Sequence, residues 1–443
     1  MTSLRFDVRV ANPTEPAAQQ AMDGTLRLAS GDRAGAEQLY RDAGALPMAQ
    51  GSSLVNLAAL GVALGDSQGA RGYAMRALQL DRANADAWVN LGAASWNLDM
   101  RRDAAQATHR ALELVPGLEA AALNYGRMLH AVARPRQQRE MLELAVGANP
   151  GAWRLRQALA EHARLSGDPD TARRYALEAL AVLRPQLQPT VDAAAAPPPR
   201  NEVADAAASA KVQQVLFAVH DALGAAGLPF HLIGGTLLAI HRDGRPFPHD
   251  KDVDLGLPFD CDREAVAAAL AQGFKPVLVA DSPHAAASRE YVMGFIHEAT
   301  GLGVDLMFVR EQDGVARFEL GWPDRLACEM PRYPLQPLHW AGRDWQVPAP
   351  PAQYLDAIYG PDWSGEADSR GFDRRWFDTQ VSNPSRTPES LPRAVTLVLL
   401  RLLHALHAGQ WAKAQALCMQ ILAREPLAEV QAVLALLDDA RSA

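Results

Sequence analysis

The sequence predicts an α+β chain in three parts: an all-α array of helical repeats, a mixed-sheet domain flanked by helices, and a C-terminal helical segment. Three observations carry this. Small residues recur every 34 positions through the first 186 residues, and a Pro- and Ala-rich stretch then interrupts the pattern. Beyond it, short apolar runs alternate with helical periodicity and with Gly- and Asp-rich turns.

The repeats come first in the chain. Alanine occupies one phase of the period at Ala36, Ala70, Ala104 and Ala172, and another at Ala43, Ala77, Ala111, Ala145 and Ala179. A period of 34 belongs to tetratricopeptide repeats, in which small residues let the two helices of each hairpin approach closely. The best copy, 85–118, places Trp88, Leu91, Gly92, Ala104, Ala111 and Pro116 in the consensus slots. Five copies fit, at 17–50, 51–84, 85–118, 119–152 and 153–186, with Gln138 breaking the pattern in the fourth. Stacked repeats form a superhelix whose concave face binds extended peptides or packs on a partner domain, so a peptide or protein partner is expected on the array.

Pro185, Pro189 and the run Ala193 to Pro199 cannot continue a helix and read as a linker, 187–200. The next domain, 201–392, opens on a helix over 202–226, with Val212, Val215, Leu216, Val219 and Leu223 at helical spacing. A short strand at 230–233 feeds a Gly-Gly-Thr turn, followed by a helix over 236–241, a strand over 253–257 and a helix over 263–271. Antiparallel strands are expected at 291–297, 304–310 and 315–320. The tail, 393–443, reads as helical, with Gly409, Ala414 and Pro426 in the slots of a sixth repeat-like unit. His404 and His407, one turn apart on that helix, lack a nearby carboxylate or cysteine and read as structural or exposed.

Composition narrows the function classes. The chain has 443 residues and a net charge of −8, which argues against nucleic acid as a partner, since phosphate contacts need clustered Lys and Arg. Three cysteines far apart exclude a disulfide framework and a Cys-x-x-Cys zinc site, and fit a reducing compartment. The N-terminal residues lack the apolar core of a signal peptide, and no run approaches ~18 apolar residues, so the expectation is a cytoplasmic protein without a transmembrane segment.

The chemistry concentrates between residues 234 and 254. In Gly234-Gly235-Thr236, backbone N–H groups can approach phosphate oxygens because glycine carries no Cβ. In Asp252-Val253-Asp254, a strand puts both carboxylates on one face with Val253 behind them, able to hold a hard divalent cation against those phosphates. A third carboxylate, Asp305, sits in a later apolar strand. This pattern predicts phosphoryl transfer, which asks a protein mainly to position groups and neutralise charge. Asp252 and Asp254 would hold Mg²⁺ or Mn²⁺, and Asp305 would be either a further metal ligand or the base for an acceptor hydroxyl. Gly234, Gly235 and Thr236 would cradle a diphosphate, Arg242 would contact it, and His249 and Asp250 stand close in sequence. Asp260-Cys261-Asp262, by contrast, precedes an apolar run and reads as a helix N-terminal cap.

These residues also carry a family resemblance. Gly235-Thr236-Leu237-Leu238, Arg242, Pro248, Asp252-Val253-Asp254 and Leu255-Gly256-Leu257 are similar to the LicD/fukutin branch of the nucleotidyltransferase superfamily. The likeness continues through Gly303-Val304-Asp305-Leu306, Val347-Pro348, Tyr354-Leu355 and Tyr359-Gly360-Pro361-Asp362-Trp363. It runs from about 211 to 380. His249 stands where the family usually has an aromatic residue, and Lys251 where it often has an acid. The resemblance implies a nucleotidyltransferase-fold mixed-sheet domain. It also implies a transferase moving a phosphorylated alcohol, such as phosphocholine or ribitol phosphate, from a CDP-activated donor to a sugar or glycan acceptor, as in modification of cell-surface polysaccharide. The alternatives are NTP-dependent nucleotidyl transfer to a small molecule or protein, and a repeat scaffold carrying an inactive transferase domain.

Overall fold

The computed structural model describes residues 5–47, 51–189, 202–277, 290–320, 323–361, 363–364 and 379–442. Asp362 and the greater part of the expected linker lie outside them. The chain divides into two compact units, Met1–His162 and Ala163–Ala443.

The first unit is built of helical hairpins in the expected phase. These are α1 (Pro16–Ala29) with α2 (Arg33–Ala45), α3 (Gly51–Leu64) with α4 (Ser67–Leu80), α5 (Ala85–Asn97) with α6 (Arg101–Leu114), and α7 (Glu119–Ala131) with α8 (Pro135–Ala148). Aspartate or asparagine caps recur where the helices begin: Asp32 accepts from Gly35 N–H, Asp66 from Gly69 N–H and Asn84 from Ala87 N–H. The periodic alanines lie buried between helices, and Gly92 shows why the slots are small. A Cβ there would stand 2.2 Å from Thr108 Oγ1. Residues 6–11 precede α1 without regular secondary structure and lie against α3, α5 and α7.

The division falls inside α9 (Trp153–Leu165), so the last helix of the fifth repeat, α10 (Pro169–Leu183), belongs to the second unit. There it packs on two C-terminal helices, α16 (Leu391–His407) and α18 (Ala428–Ser442), which with α17 (Trp411–Leu422) make up the helical tail. Arg173 pairs with Glu425, and Arg164 with Asp324 at 2.7 Å. The expected boundary near 187 therefore differs from the contact division. The apolar faces of α16 and α18 cover α10, which sequence periodicity assigns to the array.

The centre of the second unit is a seven-stranded mixed sheet with β1 (His231–Leu232), β2 (Asp252–Pro258), β5 (Gly303–Gln312), β4 (Val292–His297) and β3 (Phe274–Pro276) in that spatial order. β6 (Val315–Leu320) pairs with the end of β5, and β7 (Leu326–Pro331) with β6. Among the described residues, only β2 and β5 run parallel in this sheet; its other pairings are antiparallel. The long helix α11 (Glu202–Ala225) presents Val212, Val215, Leu216, Val219 and Leu223 to the core formed with Val253, Leu255, Leu257, Val304, Leu306 and Phe308. Each such side chain, removed from water, contributes roughly 1.5–3 kcal/mol.

Two further helices frame the sheet. α12 (Gly234–Asp243) joins β1 to β2, and α13 (Arg263–Ala269) follows β2, capped by Asp262, which accepts from Glu264 N–H at 2.9 Å. The cap read from Asp260-Cys261-Asp262 is thus where the sequence placed it. The Gly-Gly-Thr segment differs from its expectation: it forms the first turn of α12 rather than a loop ahead of it, with Gly234 at φ +57°. β3, β7 and the separate hairpin of β8 (Leu335–Trp340) and β9 (Arg343–Pro348) were not anticipated. Pro337 and a nearly continuous exposed face remove the alternation by which β8 would be recognised. α14 (Pro351–Tyr359) follows this hairpin, and α15 (Thr379–Ser382) precedes α16. Among the described residues, no helix is long and apolar enough to cross a membrane.

Candidate functional site

The site forms where β2 and β5 run side by side. Their parallel register sets Asp252 beside Gly303, Val253 beside Val304 and Asp254 beside Asp305. In-register neighbours point to the same face, and so do residues i and i+2. Asp252, Asp254 and Asp305 therefore share one face while Val253 and Val304 are buried on the other. The apolar neighbours of each aspartate bring its carboxylate out of the core.

The first turn of α12 closes over Asp254. Gly235 N–H donates to Asp254 Oδ2 at 3.0 Å, and the Asp254 N–H donates to Thr236 Oγ1 at 2.8 Å. Ile233, at the N-cap, offers no side-chain cap of its own. The Asp254 carboxylate takes that role from a neighbouring strand, at the positive end of the helix dipole. Gly234 is required twice. Its φ of +57° lies in the left-handed region, and a Cβ there would stand 2.6 Å from Asp254 Oδ2.

The carboxylates repel one another in a partly desolvated setting. Burial first, then Asp252, pushes Asp305 up to about 6, and the same two causes push Asp250 up to about 7. Asp254 is raised well above the usual carboxylate range by burial, Asp252 and Asp305, with the Gly235 N–H opposing. Asp252 is raised chiefly by burial, against which Lys251 acts. Acids perturbed in this way by burial and like charge mark a candidate functional site.

Among the described residues, no three His, Cys, Asp or Glu side chains converge closely enough to cage a metal ion. The triad read from sequence is thus a row of acids along two strands, because Asp252 lies opposite Gly303 rather than opposite another ligand. Hard carboxylate oxygens in that arrangement suit Mg²⁺ or Mn²⁺, which one or two carboxylates hold together with substrate phosphates and water.

The remaining expected phosphate contacts are engaged within the protein. Gly235 N–H serves Asp254, Gly234 N–H donates to the Tyr354 hydroxyl at 3.4 Å, and Thr236 Oγ1 serves the Asp254 backbone. Arg242 forks onto its neighbour Asp243 at 2.6 and 3.1 Å and lies over the Phe247 ring. In this structure the Gly-Gly-Thr segment therefore builds Asp254 into place. His249 stacks on Phe247, and Asp250 joins the acidic row.

Sequence reasoning gave no role to two tyrosines that the site uses. Tyr354 and Tyr359, one from each end of α14, bring their hydroxyls to the first turn of α12. Tyr354 accepts from Gly234, and the Tyr359 hydroxyl would lie 4.0 Å from a Cβ on Gly235. Burial raises both phenols, and Asp254 raises them further, so they stay protonated beside the acids. Their spacing within the YL…YG stretch was the available signal.

Residues 227–351 match the family model described as the LicD/FKTN/FKRP nucleotidyltransferase domain. No curated protein matches the chain. Among solved structures, MamA aligns at 23% identity over 37% of this chain and 95% of its own, with a TM-score of 0.30. A thermophilic TPR protein of Thermus thermophilus aligns at 18% identity over 38% of this chain and 91% of its own, with a TM-score of 0.34. YrrB, a TPR protein with an unusual peptide-binding site, aligns at 16% identity over 38% of this chain and 86% of its own, with a TM-score of 0.28.

Proposed function

From a chain that carries a LicD-family nucleotidyltransferase domain behind an N-terminal tetratricopeptide array, we propose a metal-dependent transferase. It moves a phosphorylated alcohol of the phosphocholine or ribitol phosphate type from a CDP-activated donor to a sugar or glycan acceptor. The observation that carries this reading is the Asp254–Asp305 pair, set side by side by the β2–β5 register and backed by the first turn of α12.

Asp252 and Asp254 are the residues that would hold Mg²⁺ or Mn²⁺, with Asp305 beside them as a further ligand or as the proton acceptor. When bound, the cation neutralises phosphate oxygens and favours departure of the nucleotide. The chain's own groups do the rest. Gly235 N–H holds the Asp254 carboxylate and Thr236 Oγ1 holds the Asp254 main chain, so that no reorganisation is needed as charge develops. Asp305 lies next to it, where the acceptor hydroxyl proton can be received. Arg242 reaches donor phosphates by exchanging Asp243 for them, one planar fork for another. Buried Tyr354 and Tyr359 keep the helix turn in place and narrow the access of water.

The experiment is a donor screen with Mn²⁺ present and with EDTA. CDP-choline, CDP-ribitol, CTP and ATP are each incubated with the protein and a panel of sugars and glycans. Metal-dependent release of CMP from a CDP-alcohol supports the reading. Pyrophosphate release from CTP or ATP would replace it with nucleotidyl transfer. Turnover undiminished by EDTA would overturn the metal role.

A further inference from the structure

The repeat array holds a second built site, unrelated to the acidic row. Asn56 on α3, Asn90 on α5 and Asn124 on α7 are spaced 34 residues apart and are fully buried. Each grips the main chain of the segment that precedes α1. Asn124 Oδ1 accepts from Asp7 N–H at 2.8 Å and its Nδ2 donates to Asp7 C=O at 2.7 Å. Asn90 does the same for Arg9 at 2.8 and 2.8 Å, and Asn56 for Ala11 at 2.6 and 3.0 Å. Residues 7, 9 and 11 advance by two as the repeats advance by one in the opposite direction. That is the contact pattern of an extended chain laid across the first helices of three consecutive hairpins.

The side chains of the segment divide by the same period. Asp7 pairs with Arg154 at 2.7 Å and lies 3.6 Å from Arg127, and Arg9 pairs with Asp86 at 2.7 Å. On the other side, Phe6 meets the Trp96 ring at 5.9 Å, and Phe6 and Val8 pack on Val62, Ala70, Ala93 and Ala94. The asparagines read only main-chain N–H and C=O, which every extended peptide offers. Selection falls to two clamps of opposite sign, an arginine pair for an acid and Asp86 for a base two residues later.

We infer that this groove is a binding site for an extended segment of a partner protein with an acidic, an apolar and a basic residue in succession, and that residues 6–11 occupy it in cis until displaced. The hold is exchangeable for a physical reason. The segment belongs to no helix or sheet, its ion pairs are partly exposed and therefore weak, and an incoming main chain restores every hydrogen bond that the departing one gives up.

The test uses the full chain and a fluorescein-labelled peptide with the sequence of residues 5–14. In Arg9→Glu, repulsion from Asp86 loosens the resident segment, and the peptide should bind about tenfold more tightly than to wild type. Adding Asn90→Ala should reverse that gain, and a peptide with its acid and base exchanged should not bind. Equal binding to wild type and Arg9→Glu, or equal binding of the exchanged peptide, would overturn the inference. So would concentration-dependent oligomers of Arg9→Glu that exclude the peptide, since the occupant would then be a second copy. Hydrogen exchange on wild type is independent of any variant's folding. The amides of Asp7, Arg9 and Ala11 should exchange by local opening, faster than the helices beneath them. Protection equal to that of α5 would make the segment a permanent part of the core.

Discussion

In the repeat array three buried asparagines each find one N–H and one C=O on the same segment, whereas in the sheet domain four carboxylates find chiefly one another. Both clusters take polar groups out of water. The first returns a hydrogen bond for each one lost, and its stability is complete in the protein as it stands. The second leaves like charges facing one another, and burial with mutual repulsion raises them above the usual carboxylate range. A saturated polar cluster holds structure, and an unsaturated one costs stability.

The largest effect that could break this contrast is on turnover. Asp254→Asn keeps an acceptor for the Gly235 N–H but removes the charge at the centre of the row, and it should lower CMP release by about a hundredfold or more. Retained activity would show that the row is not the reaction centre. Metal is the next probe: Mn²⁺ at a hundredfold excess over its dissociation constant should stabilise the wild type by roughly 2.7 kcal/mol in thermal or urea unfolding. Asp254→Asn should gain much less. An equal gain in both would place the cation elsewhere.

Stability without metal sharpens the comparison further. Asn90→Leu strands Arg9 N–H and C=O, and should cost about 1–3 kcal/mol. Asp305→Asn, measured in EDTA, should be neutral or stabilising, because it relieves repulsion. If both variants lost stability alike, the acids would be structural partners and the contrast would fail.

The smallest effect expected is a pH dependence. Asp305 and Asp250 have folded values raised to about 6 and about 7 from an ordinary 3.8. The unfolded chain therefore ionises first as pH rises. The contribution of these acids is full below 3.8 and is lost as pH climbs through about 6 to 7. Buried His231 acts in reverse. Desolvation lowers it from 6.5 to about 4, so its contribution is present above 6.5 and lost as pH falls through about 4. In EDTA, Asp250→Asn should therefore flatten the loss between pH 4 and 7 and leave the loss on the acid side unchanged. An unaltered profile would show that Asp250 is not desolvated.

The parts of this fold legible in the sequence are those with a long or chemically unusual signature. A 34-residue period survives substitution at single slots, which is why the hairpins start where Ala85 and Glu119 begin their copies. Asp252, Asp254 and Asp305 stood out because acids interrupt apolar strands. What was hidden depends on pairing. No local feature tells Asp254 that its neighbour is Asp305, or Gly235 N–H that it will meet Asp254 rather than a phosphate. β8 carries too little alternation around Pro337 to be seen. The segment 6–11 is too short for periodicity, yet asparagine at 56, 90 and 124 was in plain view, at the same 34-residue period as the alanines though in a different phase.

The β2–β5 pairing has one more consequence. Because side chains alternate faces along a strand, a slip of one residue would carry Asp254 out of line with Asp305 and bring Val304 beside it. No intermediate alignment exists between these two. The side-by-side acids therefore exist in one strand register alone.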